Sequence, residues 1–413
     1  MERNTLVDLT PVLSSAVYYL KYLAYLCWAL YSVFLVIGFV GYWYKSKSGN
    51  TKCNYIEFII VTVANKSVRN SLIESIEQTS ARFPDIPLTI LVDQGSKLLI
   101  ELLLPLTSHS IGISGLLSTM FMSSTIAPRP VGKRIAPIRV VVVPNLYRQD
   151  LVGKGRAMNY FIESQVEKDK WYSFIDDDNI IVDSSMLYEI PYYEKMGYVA
   201  CNPLIVPREG KSKSAHIMDS IRRFDDVTIF RFFTGICKKP LLGLHGEVLT
   251  VKGSILKEIG YHRRTLTEDF RFAAESIKQG KMKTWQSSTK VSIKSANNIH
   301  DLLKQRGRWF KGIAMDLNFC APAMRGIVGV RMALWILGIF GSWALSPLWI
   351  FWQDGAFYFI IGGMCPWIVL SVGIIRNKQP LYYILCIPLF GILESISPWF
   401  GLKQKKFVVI DKN

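Results

Sequence analysis

Three clusters of polar and charged residues stand in a fixed order along the 413-residue chain: Asp176-Asp177-Asp178, Thr267-Glu268-Asp269 and Gln305-Arg306-Gly307-Arg308-Trp309. The first offers adjacent carboxylates, which repel one another unless a cation neutralises them. The second offers a general base, and the third offers arginines that can clamp phosphate oxygens. Metal ligands, a base and a diphosphate clamp are together what glycosyl transfer from a nucleotide sugar requires. The ordered set therefore predicts that chemistry.

The acidic cluster follows directly on an apolar run that ends at Ile175, which predicts a buried strand with carboxylates at its end. Asp176 and Asp178 would point to the same side of an extended segment. Their oxygen ligands suit Mn²⁺ or Mg²⁺, ions that share their coordination with substrate phosphates. We expect Asp176 to serve both the donor nucleotide and the metal, and Asp178 to be the stronger metal ligand. A solvated acidic turn is the alternative.

The second cluster opens an amphipathic stretch over residues 270–279. We expect Asp269, with Glu268 beside it, to be catalytic, because transfer with inversion needs one base on the face opposite the leaving diphosphate. The alternative is structural. Thr267 would then be a helix N-cap, and the two acids would complement the dipole of the first turn.

Four further residues are expected to hold the donor: Asp93, Lys154, Gln305 and Arg308. Asp93 closes a predicted strand before Gln-Gly-Ser, where a carboxylate can accept hydrogen bonds from a nucleobase; an ordinary turn cap is the alternative. Arg308 can contact a diphosphate through two hydrogen bonds. Lys154 stands in Gly-Lys-Gly-Arg, which is too short for a P-loop, so the sequence does not predict ATP hydrolysis.

The acceptor sugar is expected to contact Trp309, His245 and Gly246. The indole of Trp309 offers a face on which a sugar ring can stack. Its alternative place is an interfacial helix whose Arg and Trp side chains lie at lipid headgroups. His245 follows an apolar stretch, and a loop histidine with satisfied hydrogen bonds is the simpler interpretation of that residue.

Apolar segments flank these clusters, and the mean hydropathy of the chain is +0.22. Residues 22–44 form an uncharged run long enough to span a bilayer, and the lysines after it place the following domain in the cytoplasm and residues 1–21 outside. Residues 301–326 are expected to form an interfacial helix region. Residues 327–352 and 356–375 are two more spanning candidates. Residues 381–401 either span or are re-entrant, and we favour the second because it keeps the basic tail, 402–413, cytoplasmic.

The segment between the first spanning run and the interfacial region, 53–300, alternates strand and helix patterns. Strands are predicted at 58–63, 88–92, 140–143 and 171–175, and a helix at 67–78. This alternation predicts an α/β domain with a mostly parallel, Rossmann-like sheet that binds ligands at the strand carboxyl ends. Residues 102–128 carry no charge and are expected to form a packed helical insert, or else an element that dips into one leaflet.

Composition excludes several classes of protein. The formal charge of +17 would suit nucleic acid, but no dense basic block or nucleic-acid module is present, so no nucleic-acid partner is expected. The seven cysteines are scattered without a CxxC pair, which argues against a disulfide framework or a structural zinc site and fits a reducing cytosol.

The ordered motifs resemble those of family-2 glycosyltransferases with a GT-A catalytic domain, in the membrane-integrated branch that includes hyaluronan, chitin and cellulose synthases. The chain is most similar to egghead-type β-1,4-mannosyltransferases, which transfer mannose from GDP-mannose to a glycolipid. The resemblance rests on residues 92–96, the three clusters, Lys294-Ser295 and the tail 401–409, which is similar to the gating loop of the synthases. Two features differ: Asp177-Asp178 stand in place of a glutamate pair, and the insert 102–128 has no counterpart.

The resemblance implies a GDP- or UDP-sugar donor, a lipid or glycolipid acceptor, a membrane setting and a divalent metal. Two alternatives are kept open. A processive synthase would extrude its polymer, although few spanning segments leave little wall for a channel. A non-catalytic membrane sugar-binding scaffold would bind the donor without releasing its nucleotide.

Overall fold

The computed structural model describes residues 10–64, 66–93, 137–344, 356, 364–376 and 378–403. The predictions for the insert 102–128, for the turn after Asp93, for most of the segment 345–363 and for the tail from residue 404 onward lie outside these ranges.

The centre of the molecule is an eight-stranded sheet in the order β3-β2-β1-β4-β7-β6-β8-β5. The strands are β1 (Ile56–Thr62), β2 (Leu88–Asp93), β3 (Ile138–Val143), β4 (Trp171–Asp176), β5 (Asn179–Ile181), β6 (Ala200–Arg208), β7 (Val248–Lys252) and β8 (Thr284–Lys294). All seven residues of β1 are buried, as expected for a parallel strand covered on both faces.

The two halves of the sheet differ in strand direction. β3, β2, β1 and β4 are parallel neighbours, which confirms the predicted α/β class and the four predicted strands. The other half is mixed, because β7 runs antiparallel to both β4 and β6, and β5 antiparallel to β8, while β6 and β8 are parallel. The carboxyl ends of β1, β2 and β4 therefore share one edge of the sheet.

Helices cover both faces of the sheet: α2 (Arg69–Arg82), α3 (Lys154–Gln165), α4 (Ser185–Glu194), α5 (Lys213–Val227), α6 (Gly253–Ile259) and α7 (Glu268–Lys278). Alternate residues of β1 point to opposite faces. Phe58 packs in a core with Trp171 and Trp285, and Ile59 packs in a second core with Phe161 of α3. The sheet is thus fixed between two apolar layers, which leaves its edge for polar chemistry.

In the described ranges, five further helices lie before and after this domain: α1 (Thr10–Tyr42), α8 (Ile299–Asp316), α9 (Pro322–Ala344), α10 (Cys365–Arg376) and α11 (Ile387–Lys403). In the described ranges, one helical stretch, Tyr18–Tyr42, is long and apolar enough to cross a membrane. Leu381–Leu389 and Gly391–Leu402 would add a second only if this pair, bent by 48°, counts as one span. The predicted spans and their topology stay predictions.

Two glycines bring α8 against α11. A Cβ at Gly307 would lie 2.7 Å from Ser397 O, and a Cβ at Gly401 would overlap the backbone of Gly307. The two helix backbones therefore touch, which fixes the rotation of α8 and so the direction in which Gln305, Arg308 and Trp309 point.

Candidate active site

One cavity of about 680 Å³ lies at the carboxyl edge of the sheet. Its wall combines the ends of β1 and β4, the first residues of α3 and α7, and one face of α8. All three sequence clusters reach it, together with most of the other predicted site residues: Lys154, Asp176, Asp178, His245, Gly246, Glu268, Asp269, Gln305, Arg308 and Trp309. The structure therefore brings together residues that are far apart in the chain.

Local geometry explains why the acids stand at this edge. Asp176 is the last residue of β4, directly after the buried Ile175. Thr267 occupies the N-cap position of α7, as the structural alternative predicts, but its hydroxyl makes no capping hydrogen bond. Glu268 and Asp269 form the first turn of that helix, where the dipole favours negative charge.

Lys154 connects the two acidic clusters. Its Nζ lies 2.7 Å from Asp176 Oδ1 and 3.1 Å from Glu268 Oε1, and it donates a 2.7 Å hydrogen bond to the carbonyl of Gly246. Burial lowers the pKa of Lys154, but the carboxylates of Asp176, Glu268 and Asp269 outweigh burial and hold that pKa above its ordinary value. The predicted diphosphate cation is thus already engaged by acids of this chain, and a diphosphate would have to share it.

The turn at the end of β4, Asp176-Asp177-Asp178, is called the carboxylate turn, and its side chains fit a divalent cation. Asp178 is 5% exposed, and the buried Oδ1 of Asn179 has no hydrogen-bond partner among the residues that the structure describes. Burial raises the pKa of Asp176 to about 6; Lys154 acts against this, and Asp178 adds to it. Asp177 points elsewhere and accepts a 2.6 Å hydrogen bond from Thr62. In the described ranges no group of three acidic, His or Cys ligands occurs. Two carboxylates suffice for an ion that keeps water and phosphate ligands.

Asp269, directly after Glu268, lines the same cavity as that turn. Burial and the charge of Glu268 raise the pKa of Asp269 to about 7, while Lys154 acts in the opposite direction. A Cβ at Gly246 would lie 2.6 Å from Asp269 Oδ2, so only glycine leaves that oxygen its space. Asp269 is therefore a carboxyl group whose proton affinity suits acid–base chemistry near neutral pH.

His245 is held by neighbours rather than by the open cavity. Its Nε2 lies 2.8 Å from Asp226 Oδ1, and its ring is 4.4 Å from that of Phe230. Burial lowers the pKa of His245, but Asp226 and Glu247 raise it above its ordinary value. The ion pair with Asp226 holds the ring, but the buried Nε2 makes no hydrogen bond of regular geometry among the described residues, so the acceptor contact of His245 stays a prediction. Burial would raise the pKa of Glu247, but His245 and Arg222 lower it to about 2.

The side chains of the third cluster lie in two different environments. Arg306 is 1% exposed and forms ion pairs with Asp219 and with Glu394, the second at 3.2 Å, so it ties α8 to α5 and α11. Gln305 and Arg308 line the cavity. The ring of Trp309 also lines it, but the guanidinium carbons of Arg222 and Arg306 lie 4.3 and 4.4 Å from the ring centroid.

Asp93 is the final residue of β2, at the carboxyl edge that the other strands share. Its contact with a nucleobase stays a prediction. Sequence reasoning gave no individual role to several charged residues of the cavity wall, among them Arg222 and Glu247. A signal for Arg222 existed in the charged residues 219, 222, 225 and 226, which recur at helical spacing on an amphipathic helix.

The α/β sheet carries a carboxylate turn at the edge where its parallel strands end. An acid pair on α7 and the arginines of α8 line the same cavity. This arrangement defines a glycosyltransferase of the GT-A fold. The chain belongs to glycosyl transferase family group 2, whose family model matches residues 171–393, just over half of its length. It is similar to beta-1,4-mannosyltransferase bre-3 of Caenorhabditis briggsae, with 25% identity over 221 residues that cover 51% of this chain and 47% of that one.

Beta-1,4-mannosyltransferase egh of Drosophila melanogaster is 22% identical over 308 residues, which cover 67% of each chain. The chain spans about half the length of the bre-3 protein that it matches. Among solved structures, the mannosyltransferase PcManGT of Pyrobaculum calidifontis, in complex with GDP-Man and Mn²⁺, has a TM-score of 0.50 at 11% identity, covering 93% of this chain and 100% of that one. These comparisons confirm the resemblance to the egghead type and the fold.

Proposed function

We propose that the chain is a membrane-bound, inverting hexosyltransferase that moves a hexose from a GDP- or UDP-linked donor to a lipid-linked acceptor at the cytoplasmic leaflet. The observation that carries the proposal is the convergence of the carboxylate turn, Asp269 and Arg308 on one cavity. The mannosyltransferase relatives make GDP-mannose the first donor to test.

In the proposed reaction, Asp269 accepts the proton of the acceptor hydroxyl as that oxygen attacks the anomeric carbon. The new carbon–oxygen bond forms while the bond to the diphosphate oxygen breaks, and the diphosphate leaves with the electron pair. A base acts best when its pKa lies near the working pH, and a pKa of about 7 meets that condition. A positioned base of this kind contributes about 10²–10⁴-fold to the rate.

Donor binding is assigned to the turn after β4 and to α8. Asp176 and Asp178 would hold Mn²⁺ or Mg²⁺, which when bound neutralises charge on the leaving diphosphate. Arg308 and Gln305 approach from α8 and would contact the same diphosphate. Lys154 keeps Asp176 and Glu268 in place and compensates their charge. Asp93 would hold the nucleobase at the end of β2.

Support for a lipid acceptor comes from the apolar part of the cavity wall. Phe34 and Leu35 of α1, Leu334 of α9 and Leu370 of α10 line the same cavity as Asp269. α1 contains the stretch that is long and apolar enough to cross a membrane. An aliphatic chain could therefore rest between these helices while a hydroxyl group reaches the base. The lysines after α1 favour a cytoplasmic catalytic domain.

The test is nucleotide release by detergent-purified protein with Mn²⁺ and membrane lipid extract, with GDP-mannose, UDP-glucose, UDP-galactose and UDP-N-acetylglucosamine offered separately. We expect release from one donor and its loss, by about 10²–10⁴-fold, in Asp269→Asn. Donor affinity of that variant should stay within about twofold, because the base does not hold the nucleotide. Full activity of Asp269→Asn would remove this residue from the base role, and binding without release would favour a sugar-binding scaffold.

A further inference from the structure

Glu247 is a carboxylate of the cavity wall that the reaction above does not use. Its side chain is 16% exposed, and His245 Nδ1 lies 3.8 Å from Glu247 Oε2, beyond hydrogen-bond distance. Across the described ranges, no other residue donates a hydrogen bond to this carboxylate. Its own backbone amide donates a hydrogen bond to this carboxylate, and the oxygens keep further acceptor capacity in the cavity wall.

The other carboxylates of this wall have partners or proposed roles. Asp178 is a proposed metal ligand and Asp269 the proposed base. The remaining six form pairs within the protein: Asp176 and Glu268 with Lys154, Asp177 with Thr62, Asp219 and Glu394 with Arg306, and Asp225 with Arg331. Glu247 is thus the carboxylate to which these assignments give no role, and its oxygens can accept hydrogen bonds from a ligand in the cavity.

The backbone fixes Glu247 between the two reacting ends of the cavity. Its carbonyl accepts hydrogen bonds from the Asp176 amide at 3.2 Å and from Asn179 Nδ2 at 2.9 Å, which ties it to the proposed metal turn. The preceding residue, Gly246, packs against the carboxylate of Asp269. In a displacement with inversion, the transferred ring lies between the leaving diphosphate and the base. A residue anchored to both walls lies beside that ring.

A cation that is attracted to Glu247 stands close by. The guanidinium of Arg222 lines the cavity and contacts the ring of Trp309, and in the described part of the chain no group accepts a hydrogen bond from it. Arg306 Nη1 is also buried without a hydrogen-bond partner there. Hydroxyl groups both donate and accept hydrogen bonds, so a polyhydroxylated ring can satisfy a carboxylate and a guanidinium at once.

We propose that Glu247 accepts hydrogen bonds from one or two adjacent hydroxyl groups of the transferred hexose, and so determines which sugar is transferred. This inference rests on the hexosyl transfer proposed above. A planar carboxylate can accept one hydrogen bond on each oxygen, which suits two neighbouring hydroxyls and rejects an epimer that turns one of them away.

The experiment compares GDP-mannose with analogues that each lack one hydroxyl, at C2, C3, C4 or C6, for the wild type, Glu247→Ala and Glu247→Gln. UDP-glucose and its deoxy analogues replace this series if the wild type releases UDP. We expect the wild type to lose about 10- to 100-fold in kcat/KM on one analogue, or on two that lack adjacent hydroxyls. Glu247→Ala should lose as much on the intact donor and be insensitive to those same deletions. Glu258→Gln, a partly exposed carboxylate on α6 paired with Lys281, is the matched control and should behave as the wild type.

Two measurements separate this inference from the proposed reaction. Affinity for GDP, or UDP, alone should stay within about twofold in the Glu247 variants; a proportional loss there would mean a general collapse of the site and overturn the inference. Equal deoxy penalties in the wild type and Glu247→Ala would also overturn it. If the wild type releases no nucleotide, the hexosyl-transfer proposal fails, and the same analogues are compared by calorimetric binding, which still tests the contact with Glu247.

Discussion

The raised pKa of a single residue, Asp269, predicts how the transfer rate depends on pH. The base must be ionised to accept a proton, and burial together with Glu268 raises the pKa of Asp269 to about 7. We therefore expect kcat/KM to fall about tenfold per pH unit below about 7. Glu268→Gln removes a negative neighbour, which lowers the pKa of Asp269, so its acid limb should move to lower pH. A limb that stays in place in this variant would contradict the assignment.

Lys154 makes a second residue-scale prediction. Lys154→Met removes the ammonium group that compensates Asp176 and Glu268, so unfolding should become easier by on the order of 2 kcal/mol. Because Lys154 lowers the pKa of Asp269, the acid limb of the variant should move to higher pH. The matched control is Lys170→Met, which removes a surface pair with Glu167 and should cost less than about 0.5 kcal/mol. Thermal unfolding and the pH–rate profile measure both effects.

Sequence reasoning located some of these residues and missed others for physical reasons. Asp176 was predictable because a buried strand must end at the edge where parallel strands bind ligands. The engagement of Lys154 by Glu268 was not, because that pair forms only when the N-terminal ends of α3 and α7 meet at the same edge. Glu247 belongs to the triplet His-Gly-Glu that follows an apolar stretch, but its importance comes from the lack of a hydrogen bond from any other described residue, which a sequence cannot express.

At the scale of elements, the contact of α8 with α11 should decide the position of the third cluster. A methyl group at Gly307 would lie 2.7 Å from Ser397 O, so Gly307→Ala must push the helices apart. We expect a loss of about 1–3 kcal/mol in stability and a fall in nucleotide release, since Arg308 moves with α8. Gly326→Ala on α9 is the matched control, because nothing lies within 4 Å of its added methyl group. That control should be neutral or slightly stabilising.

The strands of the sheet were predictable from the sequence, but their order in the sheet was not. The four parallel strands follow from apolar runs that alternate with helix patterns, and their bounds agree with the structure to within two residues. The position of β7 between β4 and β6 does not follow from such patterns. These neighbours are distant in the chain, so their order depends on long-range pairing that no local turn signal specifies.

At the scale of the whole molecule, the acids of the cavity and its apolar wall belong to one space. A substrate that fills both parts must combine a hydroxyl group with an aliphatic chain, which distinguishes a lipid-linked acceptor from a soluble sugar. The backbones of α8 and α11 also touch, at Gly307 and Gly401. The catalytic domain and the apolar helices therefore form one structural unit around the cavity.

Because the acids and the apolar wall line one cavity, we expect activity to depend on the length of the acceptor's aliphatic chain. Alkyl glycosides with the same sugar and chains of 2, 6 and 12 carbons should give rising kcat/KM, because each buried methylene contributes up to about 0.8 kcal/mol. Leu334→Trp, which fills the apolar wall near α1, should reduce the rate for the longest chain and leave that for the shortest within about twofold. The product should carry one added sugar or a few, since the proposed site serves a lipid hydroxyl. A long ladder of products on a gel would instead identify a processive synthase, and rates independent of chain length would remove the aliphatic chain from the cavity.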